Sequence, residues 1–404
     1  MALRIATTKS ELMKIKSETD EIDTKSSEDQ TNIEDIVKQI YRGKLISDKV
    51  ILHRSRIMRK LHTGFLRAAL RSLPSGIQSL DASHPWLCYW IIHSLGLLGE
   101  YIPTDQAGHI AKFLSSCQVT SGGFAGGPGQ ISHLATTYSA VMALCSLGTE
   151  EAYIVIDRVA LQKYLQRMHQ KSGGFVMHED GEEDIRGAYC AISVAQITHL
   201  DIPRLFEDTG YWVSRCQTYE GGFAARPGTE AHGGYGFCGY AALLLLGKQH
   251  KIDLKRLIHW AAMRQMKIEG GFQGRTNKLV DSCYAFWVGA LFPLIVAQIN
   301  KEIADNKSAN SLFDRESLQE YLLYCSQYHT GGFTDRPGNS SDYYHTCYSL
   351  SGLSLAQHSG PDKCIIGHPD NELEVTHPLF NITQVAAESA LIYFNKLQIP
   401  FLDS

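Results

Sequence analysis

Three residues in the C-terminal half of the chain have side chains that can bind a metal ion. Asp281 and Cys283 are separated by one residue, and His345 follows later in the chain. A carboxylate, a thiolate and an imidazole form a three-ligand set for zinc with a fourth position open, which is typical of catalytic zinc sites. The spacing alone equally fits a buried structural cysteine and histidine, so both interpretations stay open at this point.

A second group of residues offers hydrogen-bond donors near the expected starts of helices. These residues are His232, Arg275, Lys278 and Tyr284. Donors at helix N-termini suit phosphate oxygens, and the spacing of Arg275 and Lys278 puts them on one face of a helical turn. The same residues could instead form a solvated positive edge or ion pairs with Asp281 and Glu269, and the sequence leaves both possibilities open.

Aromatic residues accompany these polar groups along the chain. The set comprises Trp86, Trp90, Tyr189, Tyr235, Trp287 and Tyr344. An aromatic stripe is usually plain core. Around a ring-shaped cavity it could instead hold a long apolar chain and stabilise a developing carbocation through cation–π contacts.

An internal repeat must position these residues. Gly-Gly-Phe motifs begin at Gly122, Gly173, Gly221, Gly270 and Gly331, at intervals of 51, 48, 49 and 61 residues. Each motif follows an amphipathic stretch and precedes a run of small and aromatic residues, so each unit is predicted to be an outer helix, a glycine loop and an inner helix. Because the units repeat in phase, the polar residues after the loops should converge on one rim.

The repeat count indicates the fold class. At least six units, including an inner helix near Trp86 that lacks the motif, predict an all-α fold of about six helix pairs. An open solenoid would satisfy the repeat, but the aromatic starts of the inner helices favour a closed α/α barrel, or toroid, around a central aromatic cavity. We expect residues 1–35 to be a disordered charged leader, and residues 36–404 to form a single barrel domain with a C-terminal extension.

Composition excludes several classes of protein. The 404 residues carry 38 Lys and Arg against 42 Asp and Glu, so no global basic field exists to bind nucleic acid. The longest apolar stretch, residues 287–297, is too short for a transmembrane segment, and the N-terminus has no apolar segment of a signal peptide. Ten cysteines scattered singly are typical of a reduced, cytoplasmic protein with buried thiols.

Three motifs carry a family resemblance. They are HGGYGFC at residues 232–238, GRTNKLVDSCY at 274–284 and DYYHTCY at 342–348. In this order and spacing they resemble the β subunits of protein farnesyltransferases, within the protein prenyltransferase family. The resemblance extends from about residue 50 to the His377-Pro378 pair.

The resemblance implies a reaction and its participants. It implies zinc-dependent, Mg²⁺-assisted transfer of farnesyl from farnesyl diphosphate to the cysteine thiol of C-terminal Cys-a-a-X proteins. It also implies one Zn²⁺ per β subunit, Mg²⁺ at the diphosphate, and a heterodimer with a prenyltransferase α subunit.

The resemblance also assigns roles to individual residues. The zinc ligands would be Asp281, Cys283 and His345. The diphosphate set would be His232, Arg275, Lys278 and Tyr284, with Asp335 helping to bind magnesium. The isoprenoid and peptide contacts would come from Trp86, Trp90, Arg186, Tyr189, Tyr235, Cys238, Trp287 and Tyr348, with Arg186 at the floor of the cavity. Tyr344 would lie beside the zinc and the substrate, and Tyr284, Lys278 and Tyr344 would take part in catalysis.

Several alternatives remain distinguishable. A type I protein geranylgeranyltransferase β subunit is the nearest, but Trp86, Tyr348 and Asp335 each match the farnesyl type. A terpene cyclase would need an Asp-x-Asp-Asp motif, which the chain lacks. A glycosidase on an α/α barrel would need paired carboxylates, for which Asp335 and Asp342 are the available pair. A repeat scaffold without enzymatic activity would bind no zinc.

Overall fold

The structure is a computed structural model that describes residues 23–50, 56–73, 75–302 and 311–400. In chain order its helices and strands are α1 (Lys25–Val50), α2 (Arg59–Arg71), α3 (His84–Leu97), α4 (Thr104–Cys117), α5 (Leu134–Leu147), α6 (Glu150–Ile154), α7 (Arg158–Met168), α8 (Ile185–Ile197), α9 (Ile202–Leu205), α10 (Thr209–Arg215), α11 (Gly233–Leu245), α12 (Leu254–Ala262), α13 (Tyr284–Trp287), α14 (Leu291–Glu302), α15 (Arg315–Tyr321), α16 (Tyr343–His358), β1 (Thr376–His377), β2 (Ile382–Thr383) and α17 (Gln384–Phe394).

Six inner helices form a closed ring. Helix α3 packs against α5, α5 against α8, α8 against α11, α11 against α13 and α13 against α16, and α16 returns to α3. Helices α2, α4, α7, α10, α12 and α15 precede them along the chain and form the outer layer. The predicted α/α barrel is therefore confirmed, and the open solenoid is excluded because the last inner helix contacts the first.

The helix starts follow from local capping. Outer helices α7, α12 and α15 begin after Asp157, Asp253 and Asp314, whose carboxylates accept hydrogen bonds from backbone amides of the first turn. Inner helix α5 is capped in the same way by the imidazole of His133. The inner helices are buried on nearly every side by the outer layer and by the neighbouring inner helices, which explains why their apolar residues show no single face.

Each Gly-Gly-Phe loop lies directly against the outer helix of the next repeat. At Gly221, where φ is +104°, an added Cβ atom would lie 2.4 Å from the Arg256 carbonyl oxygen of α12. The equivalent contacts pair Gly122 with Ala160, Gly173 with Asp208, Gly270 with Ser317 and Gly331 with Leu61. The last of these joins the final loop to α2 and closes the outer layer. The glycines are needed for this close approach as well as for their positive φ.

Glutamine side chains fix the same repeat-to-repeat contact. Gln265 Oε1 accepts from the Asp314 amide at 2.9 Å, and its Nε2 donates to the Asp314 carbonyl at 2.8 Å. At the ring closure, Gln327 Oε1 accepts from the Met58 amide at 2.7 Å. The glutamine at the end of one outer helix therefore sets the start of the next.

The N-terminal segment is more ordered than the sequence predicts. Residues 1–22 of the predicted leader lie outside the described residues, but α1 begins at Lys25, before the predicted boundary at residue 36. Charge pairs one turn apart support this start, with Lys25 Nζ 2.7 Å from Asp29 Oδ1. The helix packs on the barrel, where Gln30 Nε2 donates to Glu269 Oε1 at 2.7 Å.

The C-terminal residues close the end of the ring opposite the glycine loops. Strands β1 and β2 pair in antiparallel fashion around residues 378–381, and this hairpin touches α3, α5 and α16. Near the C-terminal end of α3, the Leu97 carbonyl accepts from the Glu374 amide at 3.0 Å. We call residues 376–383 the floor segment. No helix in the described part of the chain combines the length and apolar character needed to cross a bilayer.

The glycine contacts predict a pair of contrasting substitutions. Gly221→Ala would place Cβ against the Arg256 carbonyl. We expect the free energy of unfolding to fall by about 1–2 kcal/mol because of the positive φ and by about 1–3 kcal/mol more because of overpacking. Gly228→Ala is the matched control, because φ there is +87° and no heavy atom lies within 4 Å of the added Cβ. Thermal unfolding should show a clearly lower Tm for Gly221→Ala. Equal Tm values would contradict the close-approach argument.

A buried histidine at the ring closure predicts acid sensitivity. Burial lowers the pKa of His62 from 6.5 to about 4, while the Gly332 amide donates to its Nδ1 at 2.8 Å. Between these pKa values the unfolded chain binds the proton that the folded chain excludes. The contribution of neutral His62 to the free energy of unfolding is therefore complete above pH 6.5. It falls as the pH is lowered, by about 2 kcal/mol down to pH 5.

The test compares the Tm at pH 7.5 and pH 5 in two variants. His62→Gln keeps an acceptor for the Gly332 amide without a titrating ring, so its loss of Tm on acidification should be smaller than in the wild type. His259→Gln alters an exposed histidine of α12 and should follow the wild type. If the Tm of both variants falls on acidification by as much as the wild-type Tm, His62 is not a source of the acid sensitivity.

Candidate functional site

Two loops that follow Gly-Gly-Phe motifs bring the predicted metal ligands together. Asp281 and Cys283 lie just before α13, and His345 lies in the first turn of α16. The loops are joined where the Ser282 amide donates to the Asp335 carbonyl at 2.9 Å and Ser282 Oγ donates to the Thr334 carbonyl at 2.7 Å. Residues of neighbouring repeats, far apart in the chain, therefore meet at one rim.

The three side chains form a compact donor cluster. One donor atom each from Asp281, Cys283 and His345 lies within 4.8 Å of the others, and no other such group of three occurs in the part of the chain that the structure describes. His345 Nε2 lies 3.3 Å from Asp281 Oδ1. A carboxylate, a thiol and an imidazole at this separation fit a metal ion that takes mixed oxygen, sulfur and nitrogen ligands.

A fourth residue, Asp342, orients the histidine. Its Oδ2 accepts from His345 Nδ1 at 2.6 Å, and its Oδ1 accepts from the His345 amide at 2.7 Å. The bond to Nδ1 leaves Nε2 facing the cluster. The sequence analysis considered Asp342 only as a glycosidase carboxylate. Its position three residues before a candidate ligand histidine indicates both roles, because an aspartate there can cap the helix and can bind the imidazole of that histidine.

Burial and pairing determine the protonation of the cluster. Burial lowers the pKa of His345, but the two carboxylates outweigh it and raise that pKa to about 10. Burial raises the pKa of Asp281, and the His345 interaction outweighs it and lowers that pKa. Burial raises the pKa of the Cys283 thiol well above its ordinary value. A metal ion bound here would therefore displace protons from Nε2 and from the thiol.

The predicted diphosphate residues are only partly assembled. His232 Nε2 lies 2.9 Å from the Tyr284 hydroxyl, so these two share one site. Burial, followed by the nearby Arg275 charge, lowers the pKa of His232. Arg275 itself pairs with Glu230 at 2.8 Å, and Lys278 lies exposed on the same loop. This rim therefore presents an imidazole, a phenol and two cationic side chains.

Asp335 lies at the same rim, in the loop of the last repeat. Its carboxylate accepts from Asn339 Nδ2 at 2.8 and 3.0 Å and from the Arg336 amide at 2.8 Å. It does not contact His345, which is paired with Asp281 and Asp342. The carboxylate pair that a glycosidase would need is therefore divided between two local hydrogen-bond networks.

Aromatic rings line the barrel in an unbroken circle. Neighbouring ring centroids lie 4.5–5.8 Å apart around the series Trp90, Trp86, Tyr138, Tyr189, Phe237, Trp287, Tyr348, Tyr344 and back to Trp90. We call these eight residues the aromatic girdle. Six of them are among the site residues predicted from the sequence, and Tyr138 and Phe237 are not. The repeat indicates both residues. Tyr138 occupies the position of Tyr189 in the inner helix of the preceding repeat, and Phe237 occupies it in the following repeat.

The remaining predicted cavity residues do not belong to the girdle. The Tyr235 ring packs on His232, with centroids 5.0 Å apart. Cys238 is buried close to Cys190 and Arg186. Arg186 donates Nε to both carboxylate oxygens of Asp184, at 3.1 and 3.0 Å, in the first turn of α8. Arg186 thus lies in the first turn of an inner helix, and its predicted contacts at the floor of the cavity stay a prediction.

The orienting role of Asp342 predicts a loss of metal affinity without a loss of ligands. Asp342→Asn should weaken binding of Co²⁺ at the cluster by about 10–100-fold, because the histidine loses its charged partner. Titration followed by the thiolate-to-cobalt absorption reports the affinity. Asp335→Asn is the control at the same rim and should bind Co²⁺ as the wild type does. Wild-type affinity in Asp342→Asn would contradict the orienting role.

Comparison with known proteins agrees with this architecture. The family model "Prenyltransferase alpha-alpha toroid domain" matches residues 57–382. The chain is 42% identical to the protein farnesyltransferase subunit beta of Pisum sativum, over 81% of this chain and 92% of that protein. It is 31% identical to the geranylgeranyl transferase type-1 subunit beta of Arabidopsis thaliana, over 74% of this chain and 85% of that protein.

A solved structure supports the same fold. The Candida albicans protein geranylgeranyltransferase-I complexed with GGPP superposes with a TM-score of 0.68 at 22% identity, covering 83% of this chain and 98% of the matched chain. At that identity the likeness concerns the fold alone. The family match over most of the chain and the sequence identity to the pea subunit go further: this chain belongs to the protein prenyltransferase β-subunit family.

Proposed function

We propose that this chain is the catalytic β subunit of a protein farnesyltransferase, which transfers farnesyl from farnesyl diphosphate to the cysteine thiol of Cys-a-a-X proteins. The observation that carries the proposal is the metal-ligand cluster of Asp281, Cys283 and His345 at the mouth of a closed aromatic ring. A cluster of this kind can hold a sulfur nucleophile, and the ring beside it can hold an apolar chain.

Zinc is the metal that the donor set favours. Asp281, Cys283 and His345 supply one oxygen, one sulfur and one nitrogen, a ligand combination that suits Zn²⁺. When bound, zinc lowers the pKa of a coordinated thiol, so that a substrate cysteine is held as a thiolate near neutral pH. Asp342 keeps His345 oriented for this role. Tyr344, whose hydroxyl accepts from Trp287 Nε1 at 2.9 Å, is the member of the girdle that packs against His345, with ring centroids 4.9 Å apart.

The polar rim suits the departing diphosphate. His232 and Tyr284 are paired, and Arg275 and Lys278 add positive charge on the adjoining loop. Donors aimed at the oxygen atoms where negative charge grows stabilise the transition state more than the ground state. Arg275 would exchange its exposed partner Glu230 for the diphosphate. Asp335 would bind Mg²⁺, which when present neutralises diphosphate charge.

The aromatic girdle suits the isoprenoid. Burial of a fifteen-carbon chain at about 0.8 kcal/mol per carbon is worth about 10 kcal/mol. The π faces also stabilise positive charge that develops at C1 of the chain. Trp86 and Tyr348 would shorten the pocket, which supports farnesyl over the longer geranylgeranyl chain. The higher identity to the farnesyltransferase subunit supports the same choice.

Further parts of the proposal rest on family membership. The chain would act as a heterodimer with a prenyltransferase α subunit, in the cytoplasm, with one zinc ion per β subunit. Residues 36–404 would form the barrel domain with its C-terminal extension, and α1 would be an arm packed on it. All ten cysteines lie among the described residues and none of them is in a disulfide bond, which supports a reducing compartment.

A transfer assay tests the function. The chain is co-expressed with a prenyltransferase α subunit, and transfer of labelled farnesyl and geranylgeranyl to a Cys-a-a-Ser peptide is measured with and without a zinc chelator. We expect farnesyl transfer that disappears with the chelator and returns on adding Zn²⁺. Trp86→Thr should enlarge the cavity and raise geranylgeranyl transfer relative to farnesyl transfer.

Each other result points to a different conclusion. A preference for geranylgeranyl in the wild type would keep the zinc chemistry and favour the type I geranylgeranyltransferase alternative. Retention of full activity in Cys283→Ala would remove the cluster from the reaction. Absence of both transfer and bound zinc would favour a repeat scaffold.

A further inference from the structure

Three tyrosine hydroxyls of the inner helices bind three successive carbonyl groups of the floor segment. Tyr89 donates to the Asn381 carbonyl at 2.6 Å, and Tyr138 donates to the Phe380 carbonyl at 2.8 Å. Tyr189 donates to the Leu379 carbonyl at 2.9 Å. The donors come from α3, α5 and α8, so one short stretch of backbone is attached to three consecutive walls of the ring.

The floor segment has a backbone shape that depends on such anchors. Asn381 adopts φ +51°, a left-handed conformation, between the paired strands. Its side-chain Oδ1 lies 3.2 Å from His93 Nε2, but Asn381 Nδ2 and His93 Nδ1 have no hydrogen-bond partner among the described residues. The tyrosine bonds therefore add to the strand pairing and to the bond from the Asn381 amide to the His377 carbonyl in fixing the floor segment.

The anchoring residues are also part of the cavity wall. Tyr138 and Tyr189 belong to the aromatic girdle, and the Tyr89 ring lies 5.8 Å from Trp86 and 5.9 Å from Tyr138. Their rings therefore pack within or against the girdle that the proposed function assigns to the isoprenoid, while their hydroxyls bind the floor segment. Phe380, attached to Tyr138 through its carbonyl, is buried with an exposed fraction of 3%.

We propose that Tyr89, Tyr138 and Tyr189 are positioning residues that hold residues 379–381 as a fixed floor and so limit the length of the isoprenoid that the cavity accepts. This inference rests on the proposed function for its substrate class. It adds to the effect of Trp86 and Tyr348, whose bulk would shorten the pocket. The tyrosine hydroxyls act on the closed end, through a segment that lies C-terminal to the last repeat.

The test removes the hydroxyls and keeps the rings. Tyr→Phe variants at positions 89, 138 and 189, singly and together, are prepared as the heterodimer with the α subunit. The ratio of kcat/KM for farnesyl diphosphate to kcat/KM for geranylgeranyl diphosphate is measured with one Cys-a-a-X peptide. Loss of three hydrogen bonds should lower this ratio by about tenfold in the triple variant, because the floor can then yield to the longer chain. Hydrogen exchange of the amides in residues 376–383 should rise in parallel.

Tyr240→Phe is the matched control. Tyr240 is a fully buried tyrosine of α11 whose hydroxyl donates to Gln298 Oε1, so the variant loses a buried hydrogen bond without touching the floor. Its Tm should fall while its chain-length ratio and its exchange at residues 376–383 stay at wild-type values. A similar ratio change in Tyr240→Phe would assign the effect to general destabilisation and overturn the proposal.

Further outcomes distinguish a failure of the chain-length inference from a failure of the proposed function. Increased exchange at the floor with an unchanged ratio would show that the floor does not limit chain length, and unchanged exchange would show that the hydroxyls do not hold it. Either result overturns the inference and leaves the farnesyltransferase assignment intact. Failure of the wild type to transfer either chain would instead overturn the proposed function, and the inference about chain length with it. If the triple variant fails to fold, the single Tyr189→Phe variant gives the same comparison with a smaller shift.

Discussion

The structure depends on how closely each glycine loop approaches the next outer helix. The carbonyl oxygen of Arg256 occupies the space where a Cβ of Gly221 would lie, and the same relation recurs at every Gly-Gly-Phe motif. Backbone contacts of this kind tolerate little displacement, because packed interiors have few voids. A fixed rotation per repeat then follows, and the six inner helices close into a ring. The glutamine bonds at the outer-helix ends keep the same relation through hydrogen bonding.

This geometry explains how residues from different repeats come to share one site. The residues after each glycine loop start an inner helix, so they all face the same rim. Asp281 and Cys283 belong to one repeat and His345 to the next, and the bond from the Ser282 amide to the Asp335 carbonyl fixes the distance between them. The aromatic girdle arises in the same way, one turn further along each inner helix. The repeat thus supplies the positions, and the side chains that differ between repeats supply the chemistry.

Most of the barrel could be predicted from the sequence because the repeat is visible in it. The glycine motifs predicted the helix pairs and their phase, and the three family motifs predicted the residues that gather at the rim. Phe237 and Tyr138 could be predicted only by aligning their repeats on Tyr189, because an aromatic residue on an inner helix can face either the cavity or the outer layer. Asp342 was missed because its partner, the Nδ1 of His345, is set by helix capping geometry. The start of α1 was missed because mixed charge is typical of both disordered segments and exposed helices.

The closed ring also constrains the order in which the chain can fold during synthesis. Gln327 and Gly332 make their contacts with residues 58 and 62 across more than 260 positions of sequence, and the floor segment follows later still. The earlier repeats must therefore leave the ribosome with an unclosed apolar edge, a state in which helical proteins are prone to associate wrongly. Contacts this distant in sequence also slow folding. The last quarter of the chain is thus what completes both the ring and its floor, and a nascent chain truncated before it would retain an exposed hydrophobic interior.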